Sequence, residues 1–455
     1  MAEVSDLTKL RAALSGYLIE PREEAYDQAR RVWNGMIDRR PAAIARCATV
    51  TDAVRCVEFA RTCDMTVAIR GGGHNVAGNA VCDGGLVIDL SLMKEIVVDA
   101  PQRRVRAGGG VVWGELDEAT QRHGLATTGG LMSTTGIAGF TLGGGLGNLM
   151  RSDGLACDNL LSAEVVTADG RELIVSGAEN SDLFWALRGG GGNFGVVTEL
   201  QFQLQPVGPI LVAGGVAHPL SAARDTLRFY REFTADAADA LMVYANLGHG
   251  PDGTPRVGMR AVFNGPAVAG EEAVRKLRGF GSPIADEIRP RSYLEVQRLV
   301  DPNFPAGRLN YWKAHFLAEL SDDVIDLVVE AFRRVPSRYS GIAFEHMGGA
   351  VARVGASETA FSHRSAAYSF LILAGWEDPS ESEANVAWAR DLWEQVRPMA
   401  AAGVYVNYLG GEGEQRVREA YGPNLDRLAE IKSRYDPDNF FRMNQNIRPS
   451  AVHHT

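Results

Sequence analysis

The spacing of hydrophobic positions changes character several times along the chain. Between residues 5 and 65 it predicts helix, short strand, helix. In TDAVRCVEFARTCD, Val54, Val57, Phe59 and Ala60 suit one helical face, with Asp52 as the expected cap. Short β-rich runs separated by glycine follow (VAIR, GLVIDL, RRVRAGGG), the pattern of a sheet in an α+β fold. VVWGELDEATQRHG predicts a helix that stops at Gly124. SAEVVTADGRELIVS alternates on both sides of Asp169-Gly170, which predicts a hairpin, and SDLFWALRG reads as a short helix capped by Ser181.

Beyond residues 206–209 the strands lengthen: LMVYANLGH, TPRVGMRAVFNG and AAYSFLILAGW, with helices SAARDTLRFYREFTADA and SDDVIDLVVEAFRRV among them. Such a segment predicts an antiparallel sheet with helices on one face. From Gly403 onward, YVNYLGG, a helix EQRVREAYGPNLDRLAEIKSRYDP and NFFRMNQNIRP read as a return to the first unit. The expected division is 1–205, 206–402 and 403–455.

A chain of 455 residues exceeds the ~150 of one typical domain, so more than one core is expected. Hydrophobic residues at 45% and charged residues at 22% exclude a disordered tail, a coiled coil or a collagen-like fibre. No apolar run approaches the ~20 residues needed to cross a bilayer. The net charge of −10 speaks against a nucleic-acid partner. MAEVSDLTKL has no basic and apolar leader pattern, and Cys47, Cys56, Cys63, Cys82 and Cys157 are few and odd in number. Together these predict a cytoplasmic protein without a disulfide framework. No C-x-x-C or H-E-x-x-H spacing points to a metal, and His453 and His454 read as solvated.

Glycine changes the picture. More than half of the 51 glycines fall between Arg70 and Gly195, in clusters RGGGHNVAG, TTGIAGFTLGGGLG and RGGGGNFGVV. Backbone N–H groups bared by glycine can approach a pyrophosphate, although tight turns alone use the same residues. The formal G-x-G-x-x-G at Gly190, Gly192 and Gly195 follows a helix and precedes a strand, the reverse of a dinucleotide-binding Rossmann turn, so that reading is rejected. His74, inside the first cluster, is either a structural hydrogen-bonding residue or a nucleophile for a covalent cofactor bond.

In order and spacing, IRGGGHNVAGNAVCDGGLVIDLSLM, GGLMSTTGIAGFTLGGGLG, RSDGLACDNLLSAEVVTADG, NSDLFWALRGGGGNFGVVTE and YDPDNFFRMNQNI resemble the berberine bridge enzyme-like FAD-linked oxidases. These share the FAD-binding fold of the vanillyl-alcohol oxidase and para-cresol methylhydroxylase (PCMH) group. The resemblance spans essentially the whole chain and looks closest to the bacterial branch containing hydroxynicotine oxidase and polyketide-tailoring flavoenzymes. It implies an α+β protein with a two-part PCMH-type FAD-binding domain and an α+β substrate domain. It also implies an oxidase that takes hydride from an alcohol, hemiacetal or amine carbon to flavin N5 and is reoxidised by O2 to H2O2.

Residue by residue, the resemblance makes His74 the covalent link to the flavin 8α-carbon, a neutral imidazole attacking an electrophilic methyl. Met132 stands where many relatives carry a second, cysteinyl link, so attachment through His74 alone is expected; Cys157 does not match that position. Arg70, Gly71, Gly72, Gly73, Asn75 and Gly78 would wrap the pyrophosphate. Gly130, Thr134, Gly136, Gly139 and Gly144 would form a second cradle, and Val165 and Val197 would line the adenine side. Tyr405, Asn407, Asn444 and Asn446 would cover the isoalloxazine. Tyr405 is the candidate catalytic group, and with an ordinary pKa near 10 it would need a cationic neighbour to act as a base. Tyr244, Asn246, Lys313, His315, Glu345 and His346 are candidate polar groups of the substrate roof, with Tyr311, Trp312 and Phe344 as candidate walls. A non-covalent FAD reductase of the same fold, and a flavin carrier without turnover, are the competing readings.

Overall fold

A computed structural model describes residues 4–401 and 403–450. His453 and His454 lie outside the described residues. The first part of the chain builds two sheets. In the smaller one, Tyr17–Ile19, Ala43–Arg46, Leu86–Asp89 and Val67–Arg70 lie side by side, and the last three run parallel. The second holds Ile96–Asp99, Arg104–Gly108, Val196–Gln203, Leu160–Val166 and Glu172–Ser176, all antiparallel. The hairpin around Asp169-Gly170 is present, with Val166 paired to Glu172 and Gly170 at φ +80°.

Two caps differ from expectation. The Val50–Thr62 helix is capped by Thr49, while Asp52 sits three residues in and bonds back to the Thr49 backbone as the second half of a capping box. The Ser181–Leu187 helix starts after Asn180, which adopts the left-handed conformation that Asn tolerates better than Ser.

The middle of the chain forms one antiparallel sheet in the order Ala285–Asp286, Ile210–Pro219, Pro255–Phe263, Leu241–His249, Gly341–His346, Tyr368–Trp376, Leu309–Leu317. Period two divides its faces. Val243, Ala245, Leu247, Val257, Met259, Ala261, Ile342, Phe344, Phe370 and Ile372 pack into one core with residues of the Ala223–Ala235, Asp322–Phe332 and Ser382–Val396 helices. The opposite face turns towards the glycine loops.

The C-terminal helix expected as one piece is two, Glu414–Tyr421 and Leu425–Tyr435, separated by a turn at Gly422-Pro423. Proline lacks an N–H and Gly422 takes a positive φ, so the helix breaks there. The tail then packs on the first part: Phe441 joins the core of the smaller sheet, and Ile447 joins the core under the larger one. Lys432, fully buried, donates to Asp436, to the Asn193 carbonyl at 2.6 Å and to the Phe441 carbonyl at 3.0 Å. Asp436 in turn accepts the Phe440 and Phe441 N–H groups. Lys432→Met leaves that buried carboxylate without its cation and is expected to cost about 3–5 kcal/mol, seen as a lower urea midpoint. An unchanged midpoint would show that the pair does not hold the tail.

Candidate active site

Between the glycine loops and the bare face of the large sheet lies a cavity of about 870 Å³, within the usual range for small-molecule sites. Its floor comes from Gly71, Gly72, Gly73, His74 and Asn75 on one side and Gly130, Met132, Gly136 and Gly139 on the other. The two loops touch backbone to backbone: a Cβ on Gly72 would meet the Gly136 nitrogen at 2.4 Å. Gly139 and Gly192, both lining the cavity, have open space where a Cβ would stand. Asn444 gives its amide N–H groups to the Gly192 and Phe441 carbonyls, while its buried Oδ1 has no partner among the described residues. A long trough of bare backbone with spare polar atoms fits a dinucleotide such as FAD.

His74 stands where floor and roof meet. Its ring stacks on Trp33 (centroids 5.3 Å, 20° between planes), and its Nε2 shares a 2.7 Å hydrogen bond with the Thr134 hydroxyl. Burial pushes its pKa down to about 4, against a smaller opposing pull from Asp301, so the imidazole is neutral at pH 7. Trp33 is set edge-on to Trp312 of the roof, and its indole N–H donates to the Phe304 carbonyl.

The roof presents residues in transverse rows. Arg260, Tyr244, Glu345 and Ser369 are cross-strand neighbours. The next row is Gly258, Asn246, Ala343 and Leu371, two of them small, and all four line the cavity. Glu345 is 4% exposed and accepts the Tyr408 hydroxyl at 3.1 and 3.3 Å. Burial raises its pKa to about 6, offset in part by the Tyr408 hydrogen bond and by Arg260.

Several expected residues fall elsewhere. Lys313 and His315 share the strand of Trp312 but sit one residue out of phase with it, so they point to the helix side. There Lys313 pairs with Glu412 at 2.9 Å and His315 stacks on Trp393. His346 is likewise one residue beyond Glu345 and accepts from Arg151 at 3.0 Å. Phe344 and Tyr311 also face away from the cavity. Arg70 points back to the Ala29 and Ala80 carbonyls and towards Asp89. Val165 and Val197 are a buried cross-strand pair within the larger sheet. Gly78, Gly144 and Asn446 do not line the cavity.

Tyr405 does line the cavity, in a turn leading to Val406–Tyr408 rather than in a strand. Its hydroxyl accepts the Gly145 N–H at 2.9 Å and an Asn407 amide N–H at 2.8 Å. Burial drives its pKa upward and no cation contributes to lowering it, so the base role expected for it lacks its physical requirement. Trp33, Arg260 and Tyr408 were missed in the sequence. For Arg260 the signal existed, since period two in RVGMRAVF puts Gly258 and Arg260 opposite Val257, Met259 and Ala261.

Comparison with known proteins agrees with this geometry. The FAD binding domain family matches residues 41–176, and the berberine and berberine-like family matches residues 404–448. (R)-6-hydroxynicotine oxidase of Paenarthrobacter nicotinovorans is 33% identical over 451 residues, covering 96% of this chain and 98% of that protein. The chain belongs to the berberine bridge enzyme-like FAD-linked oxidoreductases. An FAD-linked oxidoreductase of Dictyostelium discoideum is 30% identical, over 96% of this chain and 95% of its own. The crystal structure of 6-hydroxy-D-nicotine oxidase from Arthrobacter nicotinovorans superposes with a TM-score of 0.89 at 32% identity, covering 95% of this chain and 98% of that one. The α+β fold is therefore the PCMH-type fold of this family, and the protein is an FAD-dependent oxidoreductase. Among the described residues no helix is long and apolar enough to cross a membrane.

Proposed function

We propose that the protein is an oxidase with FAD attached through His74 alone, acting on a small molecule held under the large sheet. FAD, when bound, supplies a hydride acceptor at N5 and returns the electrons to O2 as H2O2. The observation carrying this reading is a half-buried, neutral His74 at the junction of a glycine-lined trough and a roof that bears Glu345. A neutral ring keeps a lone pair on nitrogen for the bond to the 8α carbon. Gly71–Gly73, Gly136 and Gly139 would carry the pyrophosphate, and Asn407 and Asn444 would face the ring. Among the described residues the cavity lining contains no cysteine and includes Met132, which favours one attachment.

Glu345 is the proposed base. It is the carboxylate on the roof face that is both buried and supported by a phenol, and a pKa near 6 leaves it ionised at pH 7 yet able to take a proton. Tyr408 holds it in place. Tyr408→Phe removes a hydrogen bond that stabilises the carboxylate, so the acid limb of kcat/KM is expected to move to higher pH. A limb that stays put or moves down would remove Tyr408 from this role.

The three parts of the chain, 1–205, 206–402 and 403–455, would act as flavin-binding unit, substrate roof and returning cover. The five cysteines, none in a disulfide, fit a cytoplasmic protein. Acid precipitation followed by peptide mapping tests the attachment: colour stays in the pellet, with the FAD mass on the peptide holding His74. Colour released wholly into the supernatant would leave a non-covalent flavoprotein.

A further inference from the structure

The roof row that holds Glu345 carries a cation on the far side of Tyr244. Arg260 pairs across the sheet with Tyr244, and Tyr244 pairs with Glu345. With strands about 4.8 Å apart, the backbones of Arg260 and Glu345 are about 10 Å apart, the span of one aromatic ring with its substituents. The guanidinium lies over the Tyr244 ring, 4.0 Å from its centroid, and makes no ion pair with a carboxylate among the described residues.

What holds Arg260 is a line of neutral groups. It donates to Asn148 Oδ1 at 3.1 Å; Asn148 donates to Gln297 Oε1 at 2.7 Å; and Gln297 donates to Asp117 Oδ2 at 3.2 Å. Asn148, Gln297 and Asp117 are all buried. Each donor points away from Arg260 and towards the distant carboxyl. This relay fixes the direction of the guanidinium without an ion pair; Glu345, on the far side of Tyr244, is the carboxylate whose field reaches it. An arginine stays protonated in any protein environment, and Arg260 is half-buried beside the cavity, so its charge is available to an anion that closes over it. The space around it is kept open by glycine: its other cross-strand neighbour is Gly215, and Gly258 lies two residues away on the same face. Arg256, Arg291, Arg308 and Arg338 also line the cavity, against one further carboxylate, Glu287, in a chain of net charge −10.

We infer that Arg260 is a specificity residue that receives an anionic oxygen of the substrate, a carboxylate or a phenolate. The inference rests on the oxidoreductase reading only for placing the reacting carbon towards Glu345. The guanidinium binds the oxygen through its cavity-facing N–H groups, and Tyr244 supplies a ring face beside it.

The test compares anions with neutral isosteres on the purified holoenzyme, by calorimetry and by perturbation of the flavin band. One pair is benzoate and benzamide; the other, at pH 8, is 4-nitrophenolate and nitrobenzene. The anion is expected to bind about 30-fold more tightly in at least one pair, as a charge-assisted contact in a desolvated site gives. A preference in the first pair alone identifies a carboxylate, and in the second alone a phenolate. Arg260→Gln is expected to abolish the preference and Arg260→Lys to restore part of it, with flavin content unchanged in both. Equal binding within both pairs of the wild type overturns the inference without any variant. So does an Arg260→Gln protein that keeps the preference. A colourless purified protein would instead count against the flavin reading, while the calorimetric ratio still decides on Arg260.

Discussion

Replacing His74 with alanine is expected to move all of the flavin colour from the acid-precipitated pellet to the supernatant. The substitution removes the one cavity-lining imidazole placed at the floor–roof junction and leaves the glycine trough intact. The variant should therefore still bind FAD, through Gly71–Gly73, Gly136 and Gly139, but release it on denaturation. Small side effects on folding are expected, because His74 exchanges a hydrogen bond with Thr134 and a stacking contact with Trp33 rather than filling the main core. The change in covalent fraction is all or none. Colour that remained in the pellet of His74→Ala would show attachment elsewhere and remove the central feature of the proposal.

Glu345→Gln should lower kcat about 10²–10⁴-fold, the usual contribution of a positioned general base, with flavin content preserved. The isosteric amide keeps the Tyr408 contact but cannot take a proton. The pH dependence gives a second signature. Burial raises the Glu345 pKa from its ordinary value to about 6, and the base works only when ionised. Wild-type kcat/KM should thus rise with pH through about 6 and level off above it, whereas the variant should lack that limb. The measurement uses whichever alcohol, sugar or amine bleaches the flavin fastest under anaerobic conditions. A Glu345→Gln enzyme within threefold of wild type would send the base assignment elsewhere on the roof.

The strongest local signals in the sequence proved to be those with short-range causes. The glycine clusters were legible because close backbone approach excludes a Cβ, and Gly72 against Gly136 is such an approach. The Asp169-Gly170 hairpin and the long strands of the roof were legible because turn chemistry and period two are local properties. The helix break at Gly422-Pro423 carried a signal as well, which the apolar spacing on either side masked.

The roof side of the cavity, where the proposed base lies, depended on facts that local sequence pattern does not contain. Tyr244 and Arg260 lie on the two strands of one hairpin, Glu345 on a strand some way further along the chain, and only strand pairing sets the three in one row. Lys313 and His315 looked as polar as Glu345, but a phase difference of one residue turned them to the helix side, because alternate residues leave a sheet in opposite directions. Trp33 reaches His74 from a segment 41 positions away that has no motif of its own. Cofactor class and fold are thus written in local spacing and glycine, as the physics of tight backbone requires. Which roof groups share the cavity was decided by the tertiary structure, since facing across a cavity is a property of paired strands rather than of any one of them.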